Sequence, residues 1–384
     1  MKGKVAVVGA GMIKFGEHYD KSYLDLIAEA YLETLKSVDK GIDRKEIQAG
    51  WLGTVLGTPS GSSLTEATAL LGLPATRCES VCVTGCDAFR NAAFSVAAGV
   101  YDLVLVIGAE HLHAGALQDM PIGGGSPHEI LDYGMFGAPA LFGLWPTRHM
   151  HEFGTTKEQM AMIAVKNHRN GAKNPLAHFQ YEIKVEDVLK SPLVCWPFNR
   201  LDCCPFTDGA AGLILCRSDL AKKYTDAPVY LAGIGLGTDT QEVFDKINFI
   251  EFYAAVQAAK QAYKMAGVEP KDIDVAEVHD CFTSTELILY EDLGFCKKGE
   301  GGKFIQEGQP EIGGKIAVNP SGGLKAKGHP WGATGVAQIY EIFKQLRGEA
   351  GKRQQPGAEI GLQNNVGAIG VSAAGVTIHT ISRP

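Results

Sequence analysis

Four short segments of this 384-residue chain concentrate side chains able to do covalent and acid–base chemistry. The first is VCVTGC, Val81–Cys86, set between a strand-like run and an alanine-rich stretch that reads as a helix. A cysteine at such a helix start gains from the partial positive charge of unpaired N–H groups, which favours its thiolate. Its own N–H is placed to meet a developing oxyanion. The bland alternative is a small buried hydrophobe. Cys78, Cys82 and Cys86 are four apart, but they straddle a strand and a helix and no closely spaced second pair follows, so no metal site is expected. The second segment is EVHDCFTSTE, Glu277–Glu286, where His279 and Cys281 sit as a strand opens into a loop. A satisfied core histidine is the alternative there. The third, NPSGGLKAKGHPWGATG (Asn319–Gly335), surrounds His329 with glycines and prolines, a backbone shaped to aim one imidazole. It does not match the phosphate-binding pattern G-x-x-x-x-G-K-[ST]. The fourth, QNNVGAIG (Gln363–Gly370), is a glycine loop that a plain hairpin would also explain.

The elements that must position these segments alternate along the chain. Lys4–Val8 reads as a buried strand and Tyr23–Leu35 as an amphipathic helix with Leu24, Ile27, Ala28 and Tyr31 on one face. Strands near Trp51–Leu56, Thr76–Val81 and Asp102–Gly108 alternate with helices at Leu64–Leu71 and Ala88–Ala98, which predicts a largely parallel sheet. From about Leu112 to Pro205 the pattern fails. One clear helix, Thr156–Asn170, stands in a stretch rich in Gly, Pro, His and Met that reads as inserted loops. The rhythm then resumes with Ala210–Cys216, Val229–Gly235, a helix to Ala266, Ile273–Val278, a helix over Ser284–Leu293, Lys315–Val318, a helix Thr334–Leu346, and closing strands near Glu359–Gln363 and Gly370–Ile381. Two βαβ-rich halves are expected, 1–225 and 226–384, with the inserted region at about 112–205 in the first.

Bulk properties narrow the class. Hydrophobic residues make up 45% and charged residues 21%, as in a soluble globular protein, and the formal charge of −7 gives no basic field for nucleic acid. No run of apolar residues is long enough for a membrane span, and no secretory signal is apparent, so a cytoplasmic location is expected. Nine cysteines, an odd number, then read as reduced thiols.

Taken together and in this order, the four segments resemble the thiolase superfamily, specifically the branch of archaeal and sterol-carrier-protein-type thiolases. The similarity extends to RHMHEFGTTKEQMAMIAVKNHRNGAKNP (Arg148–Pro175) and TDGAAG (Thr207–Gly212). The resemblance implies an α/β thiolase fold, two similar halves layered α-β-α-β-α. It implies that Cys82 is the nucleophile carrying the acyl group and that His329 activates it and helps to hold the thioester oxygen. His279 would line that oxyanion site, and the N–H groups of Cys82 and Gly367 would form the second one. Asn365 stands where many thiolases have a second catalytic cysteine, so Cys281 becomes the candidate acid/base thiol. Coenzyme A is implied as co-substrate with acyl-CoA, with no permanent cofactor. A homodimer or dimer of dimers is implied, as is a small zinc-ribbon/OB-fold partner subunit.

Three positions depart from the family pattern: Cys86 and Ala368 stand where glycine is common, and Trp331 where a smaller residue is usual. With Met120, Tyr133, Met135, Phe136, Phe142 and Trp145, Trp331 suggests a bulky or aromatic acyl pocket; loop packing explains the inserted residues equally. Acetoacetyl-CoA is the generic substrate, and a larger 3-oxoacyl-CoA, as in a relative that cleaves 2-benzoylsuccinyl-CoA, is its rival. Lys325, Lys327 and Lys297–Lys303 are candidate CoA contacts. The alternative of another class is a catalytically weak acyl-CoA-binding subunit of a complex. A ketoacyl synthase fits the His loop less well, and a dinucleotide-binding unit fails because Lys14 replaces the third glycine of VVGAGMIKFG.

Overall fold

The computed structural model describes residues 1–57, 63–114, 127–134 and 137–384. Met120, Met135 and Phe136 lie outside the described residues. The first half runs β1 (Val5–Met12), α1 (Tyr23–Lys36), β2 (Ala49–Gly53), α2 (Ser63–Leu71), β3 (Ala75–Cys78), α3 (Thr84–Ala97) and β4 (Leu103–Glu110). The inserted region then gives α4 (Pro127–Tyr133), α5 (Gly137–Phe142), α6 (Leu144–Phe153), α7 (Lys157–Gly171), α8 (Val185–Lys190) and a small hairpin of β5 (Leu193–Cys195) and β6 (Phe198–Asn199). After β7 (Gly209–Arg217) and α9 (Ala221–Tyr224) come β8 (Val229–Thr238), α10 (Tyr253–Ala266), β9 (Val275–Glu277), α11 (Thr283–Asp292) and α12 (Gly301–Gln306). The chain closes with β10 (Ala317–Val318), α13 (Gly323–Ala326), α14 (Trp331–Leu346), β11 (Ile360–Gly367) and β12 (Ala373–Thr380).

Ten strands join in the order β10-β9-β11-β12-β8-β1-β7-β4-β2-β3. Read inward from each edge, β3-β2-β4-β7-β1 and β10-β9-β11-β12-β8 trace the same path, so the repeated rhythm of the sequence is a repeated topology. Among the described residues the strands of the two five-strand sets meet at a short β1–β8 ladder, Ala6 opposite Tyr230 and Val7 opposite Val229. Helix α1 covers one set from outside and α10 the other, while α3 and α14 pack on each other between them. This matches the layered arrangement that the resemblance implies. The sheet is mixed, not largely parallel: β2 pairs in parallel with β3 and β4, and β9 with β10 and β11, but β7 and β12 are antiparallel to both their neighbours. Strand–helix alternation reports crossovers only. It is silent about β7, which follows the insertion, and about β12, which returns through a tight turn.

The inserted region is more helical than its composition suggests. Helix α6, LWPTRHMHEF, keeps Pro146 in its first turn, where the missing N–H costs nothing. Thr156 caps α7 by a reciprocal box with Gln159. Phe142 and Trp145 do not stand free as pocket walls. Trp145 stacks on Phe252 at 5.2 Å and donates its indole N–H to the Glu251 carbonyl, and Phe142 packs on Phe282 at 5.1 Å. The fourth segment is likewise mostly strand: Gln363–Gly367 completes β11, leaving only Ala368–Ser372 as turn.

Helix α10 lies unusually close to β8. Gly233, Gly235 and Gly237 occupy alternate positions and share a face, against Ala262, Ala258 and Ala254 spaced four apart on the helix. A Cβ on Gly235 would lie 2.0 Å from the Ala258 carbonyl oxygen, so the helix backbone rests directly on the strand. Gly235→Ala is therefore expected to lift α10 and cost about 1–3 kcal/mol, the usual penalty of overpacking. Thermal unfolding of the variant checks this, and an unchanged midpoint contradicts it.

Candidate active site

Cys82 lies in a single 3-10 turn, Val81–Val83, between β3 and α3. Val81 adopts φ 47°, a left-handed conformation that a β-branched side chain resists, so the turn stores strain beside the thiol. The turn is held by the Ser80 N–H donating to Thr84 Oγ1 at 2.8 Å and the Val83 N–H donating to the Ser80 carbonyl at 3.0 Å. Gly367, at the end of β11, presses on it: a Cβ there would fall 2.8 Å from Cys82 Cβ.

His329 approaches from the other half of the chain. Its Nε2 is 3.3 Å from Cys82 Sγ, and its Nδ1 is 2.8 Å from Thr334 Oγ1. The Thr334 hydroxyl gives its proton to the Pro330 carbonyl at 3.0 Å, so it accepts from Nδ1–H. That assignment leaves Nε2 as the acceptor facing the thiol. Glu110, buried at the end of β4, fixes the surroundings. Its carboxylate accepts the N–H groups of Val55, Leu56, Gly57 and Gly332 at 2.9–3.1 Å and the Thr54 hydroxyl at 3.2 Å, tying the start of α14 to the loop after β2.

His279 is buried with its ring edge-on to His329, centroids 5.1 Å apart at 81°. Neither of its nitrogens has a hydrogen-bond partner among the described residues. Cys82 Sγ and ring nitrogens of His279 and His329 all lie within 4.8 Å of one another. A soft cation such as Zn²⁺ would suit those donors, and binding it would block the thiol. Cys281 is buried just ahead of α11, with Sγ 3.8 Å from Thr285 Oγ1. The Cys204 N–H donates to the Cys281 carbonyl at 2.9 Å, which brings a thiol not expected from sequence alongside.

Neighbouring buried polar groups hold these loops. Asp280 accepts from Leu324 N–H at 2.6 Å, Lys325 N–H at 3.1 Å and Asn167 Nδ2 at 2.7 Å, which docks α13 on the His279 loop. Asn365 is tied up as a strut, donating to Gln338 at 2.6 Å and accepting from Gln363 at 3.0 Å. Two of the lysines suggested for CoA are engaged in ion pairs. Lys327 is buried in an ion pair with Glu277 at 2.9 Å, Lys298 pairs with Asp292 at 2.5 Å, and Lys325 is buried. Trp331 and Cys86 are also buried, in α14 and α3.

Burial overrides the helix-start effect expected at Cys82. Desolvation, reinforced by Glu110, pushes the thiol up to about 12, while its own N–H pulls it only part of the way back. Burial, then His279, holds His329 well below the usual imidazole range, and burial takes His279 to about 3. Burial, with Cys204 and Cys82 adding to it, holds Cys281 well above the usual thiol range. Both shifts favour the neutral forms, thiol at Cys82 and imidazole at His329.

A thiol 3.3 Å from an imidazole nitrogen, with a second buried thiol on a neighbouring loop, is an arrangement suited to acyl transfer. The N-terminal thiolase domain model matches residues 5–219 and the thiolase C-terminal domain-like model residues 235–380. The chain belongs to the thiolase family. It is 42% identical to an acetyl-CoA acetyltransferase of Methanothermobacter thermautotrophicus over 99% of both chains. It is 37% identical to sterol carrier protein 2 of Rattus norvegicus, over 99% of this chain and 72% of that one. Among solved structures, the Ltp2-ChsH2(DUF35) aldolase superposes with TM-score 0.86 at 25% identity, covering 99% of this chain and 98% of that one.

Two outcomes are expected. Alkylation of Cys82 by iodoacetamide should rise about tenfold per pH unit from pH 6 to 9, because the thiolate fraction climbs throughout below a pKa near 12; a plateau already reached at pH 7 would mean a preformed thiolate. Ala368 holds φ 66° and ψ 171°, a region nearly reserved for glycine. Ala368→Gly should therefore stabilise the fold by about 1–3 kcal/mol, raising the unfolding midpoint; a lowered midpoint would show that the turn is not strained.

Proposed function

We propose that this protein cleaves a 3-oxoacyl-CoA with coenzyme A, or runs the reverse Claisen condensation, through an acyl-Cys82 intermediate. The observation that carries the reading is the 3.3 Å contact between Cys82 Sγ and an imidazole nitrogen whose other nitrogen is already committed. In the cleavage direction His329 Nε2 takes the Cys82 proton as Sγ adds to the C3 carbonyl. The N–H groups of Cys82 and Gly367 receive the oxyanion that forms. Collapse breaks the C2–C3 bond. The departing enolate of acetyl-CoA is held at its oxygen by His279 and the now protonated His329, and Cys281 gives its proton to the carbon. Incoming CoA loses its thiol proton to the Cys281 thiolate and attacks the thioester, and Cys82 leaves to regain its proton from His329. Every group ends as it began.

Acetoacetyl-CoA is the reference substrate, supported by the acetyl-CoA acetyltransferase relative, and a bulkier or aromatic 3-oxoacyl-CoA is the rival. The halves are read as 1–225 and 226–384, and the working form as a homodimer or dimer of dimers. The two-component name of the neighbouring Ltp2-ChsH2(DUF35) aldolase supports a partner subunit, which is read here as a small zinc-ribbon/OB-fold protein. It also supports a second reading, in which a catalytically weak chain serves mainly to present acyl-CoA within a complex.

Thiolysis assays on variants test the roles. Cys82→Ser should abolish turnover. Cys281→Ala should keep acylation by acetyl-CoA while carbon–carbon cleavage falls about 10²–10⁴-fold, the usual worth of a positioned acid–base group. Full activity in either variant overturns that residue's role.

A further inference from the structure

Three donor atoms converge in the buried site from separate parts of the chain. They are Cys82 Sγ on the turn before α3, a ring nitrogen of His279 on the loop after β9, and a ring nitrogen of His329 on the loop before α14. All lie within 4.8 Å of one another, the one such group among the described residues. Tetrahedral Zn²⁺, with bonds of about 2.3 Å to sulfur and about 2.0–2.1 Å to nitrogen, sets these donors about 3.3–3.6 Å apart. Cys82 Sγ and His329 Nε2 already stand at 3.3 Å. Only His279 has to close in, and no hydrogen bond restrains it. Its ring is fully buried, and neither nitrogen has a partner among the described residues. His329 is held from behind, with Nδ1 2.8 Å from Thr334 Oγ1, which donates to the Pro330 carbonyl at 3.0 Å. A hydrogen bond on the far nitrogen is how metal-bound histidines fix ring and tautomer.

Orphaned nitrogens in an interior are costly until something engages them. A substrate oxygen or a water engages an N–H of His279, whereas a metal ion engages its lone pair together with those of Cys82 Sγ and His329 Nε2. The triplet Cys78, Cys82 and Cys86 is not this site, since Cys78 and Cys86 are buried in β3 and α3. We propose that Cys82, His279 and His329 form a Zn²⁺ site whose filling switches the thiol off. On binding, the Cys82 thiol loses its proton to solvent, sulfur and two neutral imidazoles each give a lone pair, and nothing is oxidised or reduced. Three protein ligands leave a fourth position for water. A thiolate with two imidazoles selects Zn²⁺ over Mg²⁺ or Ca²⁺, which take oxygen donors. The metal site stands on the side-chain geometry alone. The loss of turnover rests on the thiolase reading, because the metal takes both the nucleophile and its base.

Binding tests it apart from catalysis, with Co²⁺ as a visible stand-in for Zn²⁺. One equivalent of Co²⁺ added to the chelator-treated whole chain should give the intense visible bands of a tetrahedral ion and a thiolate-to-cobalt charge-transfer band. Zn²⁺ should displace it, and Mg²⁺ and Ca²⁺ should not. Equilibrium dialysis should then find one Zn²⁺ per chain. Cys82→Ala, His279→Ala and His329→Ala should each weaken it beyond the about 10–100-fold that loss of a merely supporting residue costs. Cys204→Ala should stay within twofold. In the unmodified chain, where no variant can misfold, Zn²⁺ should slow iodoacetamide at Cys82 at least tenfold and a chelator should restore the rate. Absence of the tetrahedral thiolate bands overturns the proposal, as does an affinity unchanged in any one of the three variants or an unprotected Cys82. Thiolysis separates the two claims. Turnover that persists with the site filled leaves the metal site and removes Cys82 and His329 from the reaction. Zn²⁺ inhibition with no metal on these three residues removes the metal site and leaves the thiolase reading.

Discussion

The close approach of α3 and α14 is the constraint on which the rest depends. Cys82 and His329 are 247 residues apart and come from opposite halves of the fold, yet Cys82 Sγ and His329 Nε2 are 3.3 Å apart. The two helices that follow them must cross almost backbone to backbone. A Cβ on Gly335 would lie 2.4 Å from the Cys86 nitrogen, and one on Gly85 would lie 2.9 Å from the Gly332 carbonyl oxygen. Side chains at these crossings would separate the helices and with them the thiol and the imidazole. Glu110 completes the clamp by binding the Gly332 N–H and the loop after β2 through one carboxylate. The duplicated sheet is the frame that brings two equivalent inner helices to this crossing.

Such tight packing sets the electrostatics. A thiol at a helix start in water would lose its proton readily, but here desolvation dominates and the thiol, both histidines and Cys281 are all pushed toward their neutral forms. The charges nearby are locked away: Glu277 on Lys327, and Glu286 on Lys166 at 2.8 Å. Breaking either buried pair would cost about 3–5 kcal/mol, so they serve to hold the loops, not to react.

Much of the site was legible because its residues are local in sequence. The His329 loop shows itself by its glycines and prolines, and Cys82 by its place between a strand and an alanine-rich helix. His279 and Cys281 stand two apart at a strand end. What was not legible depends on partners far along the chain. Glu110 looks like the last polar residue of an apolar strand until its five donors are seen, and Thr334 looks like one more small residue of the GATG run. Cys204 could not be told from eight other cysteines by spacing. Phe142 and Trp145 suggested a pocket by composition, whereas only packing shows that they fill the core. A helix start favours the thiolate only where desolvation does not outweigh it, and sequence carries no measure of the burial at Cys82.

In the proposed reaction Cys82, and no other thiol, receives an acyl group from CoA. The most direct measurement is intact-protein mass with peptide mapping after mixing the chain with acetyl-, succinyl- and benzoyl-CoA, beside a Cys82→Ala control. A single acyl mass on the Cys82 peptide is expected with at least one donor, absent from the control. An adduct on Cys204 or Cys281 in its place, or none with any donor, would contradict it.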